Sequence, residues 1–326
     1  MRSTQTNGGK FKKLDKIKGS IAAASILQLT DAKAEYDAES KELLSKKEFL
    51  AIILKHTIKE YENMEYQDIA DLIDGISRTT EISPGRTNQN LTSGVNPEFN
   101  VINEKLSRFD VLFKVKDPKT MKEEATCFIH FNIEPQKDFR PGYPLEKRGI
   151  YHMARMISSQ SDVVDEKTDY GSLEKVYTIW ISQDRIPKAL QNTVTLYGMT
   201  NLWSSDIIPI NKDDHDLMSM VIVRLGNPNV DSKEHIVRFL NALLHTRDEK
   251  SYKVINEYVD FSDSLKQEVG KVMGASELVE KYGEAKGETK AILKMHKKGF
   301  SMTEIADIME VDLQRVEEAI NEVALV

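Results

Sequence analysis

Two stretches of the chain, RFDVLFKVK at residues 108–116 and CFIHFNIEPQK at residues 127–137, decide the fold. In both stretches apolar and polar side chains alternate with a period of two, which is typical of a β-strand with one face in the core. The turn-forming triplet Asp117-Pro118-Lys119 follows the first stretch. We therefore predict a hairpin of two adjacent antiparallel strands, near residues 107–117 and 125–136.

Helical spacing precedes this hairpin, and strands mixed with helices follow it. Apolar residues of Glu39–Ile76 recur at three- and four-residue intervals, as in helices, and residues 79–97 have the Gly, Pro, Asn and Ser content of a loop. Further strands are predicted at Val176–Ser182, Val194–Gly198 and Met218–Leu225, and helices at Leu145–Gln160 and from Lys233 onward. This order predicts an α/β domain with a mixed sheet flanked by helices.

The composition is that of an ordinary soluble globular protein. The chain has 326 residues and a net charge of −7, which argues against a polycationic DNA binder but permits a local basic cluster. The single cysteine, Cys127, excludes an intrachain disulfide framework and a Cys-rich zinc site, and it is compatible with a cytoplasmic location. No apolar run is long enough for a membrane span. The lysine-rich residues 1–34 are predicted to be a flexible basic arm, with a targeting signal as the alternative.

The alternation also assigns the hairpin side chains to two faces. Phe109, Val111 and Phe113, with Ile129, Phe131 and Ile133, would form the apolar face. On the other face Asp110 would lie opposite Asn132 and Glu134, with Gln136 two residues further along. Three groups suited to metal or water chemistry, Asp110, Glu134 and Gln136, would therefore meet on one side of the sheet.

Two carboxylates and the main-chain carbonyl of Pro135 would form a hard oxygen site for Mg²⁺ or Mn²⁺. Such an ion lowers the pKa of bound water and neutralises a phosphate, as phosphodiester hydrolysis requires. Exposed sheet faces routinely have the same residue types, and spacing alone favours that simpler explanation. In the absence of a metal the two carboxylates would repel, so at least one should have a raised pKa.

The helix that follows the hairpin has two separate stripes. Ile150, Met153, Ala154 and Ile157 form an apolar one. The other stripe is basic and aromatic, with Arg148, Tyr151, His152 and Arg155. Two arginines and a tyrosine beside a carboxylate site would suit a DNA phosphate backbone. The alternative is a solvated helix face with ion pairs, in which Glu146 would be a partner.

Several ordered motifs together resemble a known family. They are EYDAE at residues 35–39, RFDVLF at 108–113, NIEPQK at 132–137, GYPLEKR at 142–148, ARMISSQ at 154–160 and VYTIW at 176–180. Over residues 35–325 the chain resembles the PD-(D/E)XK nuclease family transposases, the Rpn-like recombination-promoting nucleases of bacteria. The resemblance implies a restriction-endonuclease-like mixed sheet and a Mg²⁺- or Mn²⁺-dependent DNA endonuclease that promotes recombination or transposition.

The resemblance also implies residue roles. Asp110, Glu134 and Gln136 would be the catalytic residues, Asp110 and Glu134 the metal ligands, and Glu104 a supporting residue. The chain departs from the pattern at Gln136, where the superfamily usually has Lys, and at Lys105, where the branch often has Gly. Because an amide has neither positive charge nor basicity near neutral pH, a catalytically weak or inactive relative that binds DNA or a protein is the alternative. The ordered motifs disfavour a third alternative, a non-enzymatic helical regulator with an incidental sheet.

The C-terminal segment resembles the start of a helix-turn-helix unit. Ser301 and Glu304 are spaced as a capping box. A three-helix cluster is predicted from Val311, Val316 and Ile320 with Ile292, Leu293 and Met295. Acidic residues in its second helix make it a weak DNA reader, so helix packing or protein association is at least as well supported.

The expected organisation is a basic arm at 1–34, a nuclease-like domain with N-terminal helices at 35–230, a helical extension at 231–289 and a helix-turn-helix-like tail at 290–326. The expected partners are DNA and a second copy of the chain in a homo-oligomer, with no membrane.

Overall fold

A computed structural model of the chain describes residues 28–82, 107–121, 127–160, 170–206, 209–228, 230–245, 249–260 and 263–323. The described residues divide into two compact units. One unit runs from Ser40 to Gly270, and the other combines the residues before Ser40 with those from Lys271 onward. The predicted hairpin and the sheet that contains it belong to the first unit.

The sheet of the first unit is mixed, as the sequence predicted. Its strands are β1 (Ile73–Ile82), β2 (Ser107–Lys116), β3 (Phe128–Asp138), β4 (Val176–Asp184), β5 (Thr193–Gly198) and β6 (Met218–Arg224). They are arranged in the order β1-β2-β3-β4-β6-β5. The β2–β3 hairpin is antiparallel, as are the β1–β2 and β5–β6 pairs, whereas β3, β4 and β6 run parallel. The prediction of adjacent antiparallel strands is therefore confirmed.

Nine α-helices are present in the described residues. They are α1 (residues 28–44), α2 (Lys47–Thr57), α3 (Tyr66–Leu72), α4 (Leu145–Ser158), α5 (His235–His245), α6 (Glu249–Asn256), α7 (Asp263–Lys297), α8 (Met302–Met309) and α9 (Leu313–Val323). None of them is both long and apolar enough to cross a membrane. Residues 1–27 of the predicted basic arm lie outside the described part, and residues 28–34 begin α1.

The two faces of the sheet bury different side chains. On one face α4 packs its Leu145, Met153 and Met156 against a cluster of Phe109, Val176, Trp180, Met220 and Ile222. A Cβ on Gly149 of α4 would overlap the Met220 sulfur and come within 3.1 Å of Trp180 Nε1, so glycine permits this close approach. The opposite face has a stack of aromatic rings made of Tyr61, Phe113, Phe131 and Tyr177.

Strand β1 was not predicted. Residues up to Ile76 were expected to be helical, but β1 begins at Ile73 and pairs with β2. Its register shifts between Asp74 and Ser77, where Gly75 has a φ of 60°. This bulge interrupts the period-two pattern by which a strand is recognised. Residues 83–97 of the expected loop lie outside the described residues.

The C-terminal part of the second unit confirms the predicted three-helix cluster. Ile292 of α7, Ile305 of α8, and Val316 and Ala319 of α9 are buried together. Ser301 and Glu304 form the predicted capping box, and Glu310 ends α8 in the left-handed conformation where glycine would be expected. Helix α7 runs without interruption across the predicted boundary between residues 289 and 290. Whether this unit contacts DNA stays a prediction.

Candidate active site

The two predicted catalytic carboxylates lie where the hairpin strands stop pairing. Strands β2 and β3 pair in register from Lys116 and Phe128 to Val111 and Ile133. The next residues, Asp110 and Glu134, are joined differently, because the backbone N–H of Asp110 donates to the Glu134 carboxylate Oε1 over 3.3 Å. A side-chain carboxylate thus takes the position of a main-chain acceptor, and we call this point the β2–β3 fork.

Glu134 is a buried carboxylate that is surrounded by hydrogen-bond donors and a cation. Only 3% of the residue is exposed. Its Oε1 accepts from Asn132 Nδ2 at 3.0 Å and lies 3.4 Å from His152 Nδ1, and its Oε2 is 3.7 Å from Arg148 Nη2. Burial raises the pKa of Glu134, but the contacts with His152 and Asn132 and the charge of Arg148 outweigh it, so this pKa lies below its usual value. The carboxylate is therefore ionised at neutral pH.

His152 connects Glu134 to Arg148. Arg148 Nε donates to His152 Nε2 over 3.4 Å, which makes Nε2 an acceptor. A proton on Nδ1 would then face the Glu134 carboxylate at 3.4 Å, and Asn132 Nδ2 lies 3.3 Å from the same nitrogen. Phe109 and Trp180 hold the imidazole from two sides, with ring centroids 4.8 and 5.4 Å away. His152 was noted in the sequence only as one member of a helix stripe, although its spacing of four from Arg148 was a usable signal.

Asp110 has a different cationic partner. Its Oδ1 lies 2.7 Å from Lys41 Nζ of α1, and both side chains are largely shielded from solvent. The sequence offered no motif that would identify Lys41. Repulsion was expected to raise the pKa of at least one carboxyl, but the pKa of Glu134 is lowered by its contacts with His152, Asn132 and Arg148.

The expected alternation fails at the start of β2. Phe113 stacks on Phe131 at 5.3 Å, on the face that Tyr61 shares. Phe109 was predicted on that same face but instead joins the cluster beneath α4 and contacts His152. At Phe109 the strand is paired on one side only, because β2–β3 pairing ends at Val111 while pairing with β1 continues to Ser107.

Gln136 lies two residues beyond Glu134 on β3, half-buried and in register with Ser182 of β4. Several polar atoms of this region are buried, with no hydrogen-bond partner among the described residues. They are Asn132 Oδ1, Trp180 Nε1, Ser182 Oγ and Arg224 Nε. By strand register all four belong to the sheet face that α4 covers. These four buried atoms near Glu134 could therefore form further hydrogen bonds.

The predicted phosphate-binding residues occupy unlike environments. The half-buried Arg148 donates to the Tyr143 hydroxyl, and its Cζ lies 5.3 Å from the Trp180 ring. Tyr151 is exposed, whereas Arg155 is only 6% exposed. Arg155 is thus not placed as a surface phosphate ligand. Glu146, considered above as an ion-pair partner on the helix, lies 3.9 Å from Arg224 of β6.

A cavity of about 420 Å³ adjoins Tyr143 at the start of α4. Its walls are mainly apolar and aromatic, from Phe139, Gly142, Tyr143, Pro144, Leu145 and Ile222, with Arg140 and Glu146 as its charged members. Tyr143 contacts Arg148 and Arg148 contacts Glu134, so one wall residue of the cavity is connected to the fork through Arg148, while neither carboxylate lines the cavity.

The donor chemistry of the fork suits a small hard cation. Mg²⁺ is commonly held by one or two carboxylates together with water and phosphate oxygens, and Asp110 and Glu134 supply two. Among the described residues, no three His, Cys, Asp or Glu side chains come together as a ready metal-ligand group. A cation between the two carboxylates would have to replace the Lys41 ammonium at Asp110. Glu104, the predicted supporting residue, lies outside the described residues.

Comparison with known proteins adds no assignment: no protein-family model, no curated protein and no solved structure matches this chain.

Proposed function

We propose that this protein is a metal-dependent DNA endonuclease whose active site is the β2–β3 fork. The observation that carries the proposal is the 3.3 Å contact between the Asp110 backbone N–H and the Glu134 carboxylate. It links the backbone of one proposed ligand to the carboxylate of the other at the end of a paired hairpin, within a mixed sheet flanked by helices. The restriction-endonuclease-like identity of the fold, and a role in recombination or transposition in the cytoplasm, belong to the same proposal.

Each side chain at the fork has a defined task under this proposal. Asp110 and Glu134 would hold Mg²⁺ or Mn²⁺, which when bound supplies an activated water and neutralises phosphate charge. His152 positions Glu134 through its Nδ1–H. Arg148, half-exposed and 3.7 Å from Glu134, can reach a phosphate oxygen with its guanidinium. Gln136 can orient a water by hydrogen bonds but adds no charge.

A specific observation favours the alternative of an inactive, nucleic-acid- or protein-binding relative. Lys41 and Arg148 already balance the two carboxylates, and Gln136 provides no cation. If the Lys41–Asp110 ion pair is permanent, the fork is a structural polar cluster. The two functions differ in whether a divalent ion can displace Lys41.

The test is nicking of supercoiled plasmid by the purified protein with Mg²⁺, with Mn²⁺ and with EDTA. We expect nicking with either ion, none with EDTA, and a loss of at least about 100-fold in Asp110→Asn and Glu134→Gln. Asp74→Asn is the matched control, because Asp74 is an exposed carboxylate on the same sheet. Absence of metal-dependent nicking in the wild type, or equal activity in Asp110→Asn, would favour the binding module.

A further inference from the structure

The outer edge of the sheet at β5 has features that a nuclease site does not explain. Seventeen consecutive residues, from Ala189 to Ser205, contain no Asp, Glu, Lys or Arg, in a chain of which 30% is charged. The segment comprises the whole of β5 and the residues that follow it. Such an uncharged surface segment suits a partner whose contacting surface is also uncharged.

The same segment exposes a group of large apolar side chains. Leu202 is 92% exposed and Trp203 79% exposed. Leu196, Tyr197 and Met199 are also exposed. Single exposed apolar residues are ordinary, but five within eight positions form a patch of the kind that marks an interaction surface. Because Leu196 and Tyr197 are adjacent in a strand, the patch continues over both faces of β5.

Strand β5 also lacks the devices that protect a sheet edge. It is the last strand in the sheet order, and within the described residues it pairs only with β6. Its six residues pair without a register shift, so no bulge turns the edge away. The sequence Thr193–Gly198 has no proline and no charged residue. An unprotected edge of this kind presents free N–H and C=O groups for pairing with another strand.

We propose that β5 and residues 199–203 form the interface of a homodimer, in which the β5 strands of two copies pair antiparallel about a twofold axis. A strand paired with its own copy is self-complementary, as an isologous interface requires. The absence of charge from the segment removes like-charge repulsion between identical surfaces. A nucleic-acid partner is disfavoured because the segment has no cation to contact phosphate. Leu202 and Trp203 would then be covered by the second copy.

The test is the molar mass of the full chain, from sedimentation equilibrium or light scattering at roughly 1–100 μM, the range in which weak dimers dissociate. It is done in EDTA without DNA, so its outcome does not depend on the proposed nuclease function. We expect a dimer for the wild type. In the double variant Leu196→Lys with Trp203→Lys the dissociation constant should rise at least about 100-fold.

Two controls keep the result interpretable. Tyr170→Lys replaces another exposed aromatic by the same cation and should leave the dimer intact. Because Leu196 and Trp203 are exposed in one copy, the double variant should keep its circular dichroism spectrum. Hydrogen exchange should show the β5 amides that point away from β6 protected in the wild type and exchanging fast in the variant. A wild type that is monomeric throughout, or a dimer that the double variant leaves unchanged, would overturn the proposal.

Discussion

The contact between Glu134 and His152 predicts how much unfolding free energy the protein loses when His152 is replaced. The buried Glu134 carboxylate receives Asn132 at 3.0 Å, the Asp110 N–H at 3.3 Å and His152 at 3.4 Å. His152→Phe keeps a ring between Phe109 and Trp180 but removes the donor. A hydrogen bond to a buried charge contributes roughly 1.5–3 kcal/mol, so the sheet unit should lose about 2 kcal/mol.

A double-mutant cycle isolates this contact. In a Glu134→Gln background no buried charge is left unpaired, so His152→Phe should cost only about 1 kcal/mol, which leaves a coupling free energy of about 1 kcal/mol or more. The four proteins are compared by guanidinium denaturation at pH 7.5. Trp180 contacts His152 directly, and a Trp203→Phe background leaves it as the only tryptophan and reporter. A coupling free energy below roughly 0.5 kcal/mol, the usual limit of additivity, would show that the contact between His152 and Glu134 does not stabilise the fold.

The pH dependence of Glu134 has a defined sign. Its pKa in the folded protein lies below the ordinary 4.5 because of the contacts with His152, Asn132 and Arg148. The unfolded chain therefore binds the proton first as pH falls, and the stability that Glu134 contributes is present above about pH 4.5. The difference in unfolding free energy between wild type and Glu134→Gln should be constant above that pH and shrink below it. A difference that grows on acidification would show that the pKa is raised.

Three further predictions concern α4 and the C-terminal helices. Gly149→Ala should destabilise the sheet unit by roughly 1–2 kcal/mol in thermal unfolding, since overlap with Met220 outweighs the better helix propensity of alanine. A gain in stability would show that α4 has room to move. Arg148→Ala should reduce the salt slope of DNA binding by about one contact, whereas the buried Arg155→Ala should lower stability more than it lowers that slope. Ser301→Ala should cost about 1 kcal/mol in the unfolding of the C-terminal helices, because it removes the cap of α8.

The hairpin was predictable because its pattern and its packing agree. Between Val111 and Lys116 the period-two alternation matches the register with β3. The β4, β5 and β6 strands and the α4 helix also lie where their patterns indicated. In these elements the local spacing of apolar residues predicts the same secondary structure that burial in the core requires.

The remaining features depend on contacts that local spacing does not encode. The bulge at Gly75 concealed β1, and Phe109 packs beneath α4 although the alternation assigned it to the other face. Lys41 reaches Asp110 from a helix 69 positions earlier in the chain, a contact that only the tertiary fold creates. For the same reason the partners of Glu134 on α4 could not be predicted from the strand itself.

The shared metal site is tested most directly by anomalous scattering from a crystal of the protein soaked in Mn²⁺. If the fork is a nuclease site, one manganese peak should lie about 2.1–2.2 Å from an oxygen of Asp110 and from an oxygen of Glu134. The Lys41 ammonium should then have left Asp110. A crystal soaked at millimolar Mn²⁺ with no peak at the fork, and with Lys41 still 2.7 Å from Asp110, would contradict the proposed function.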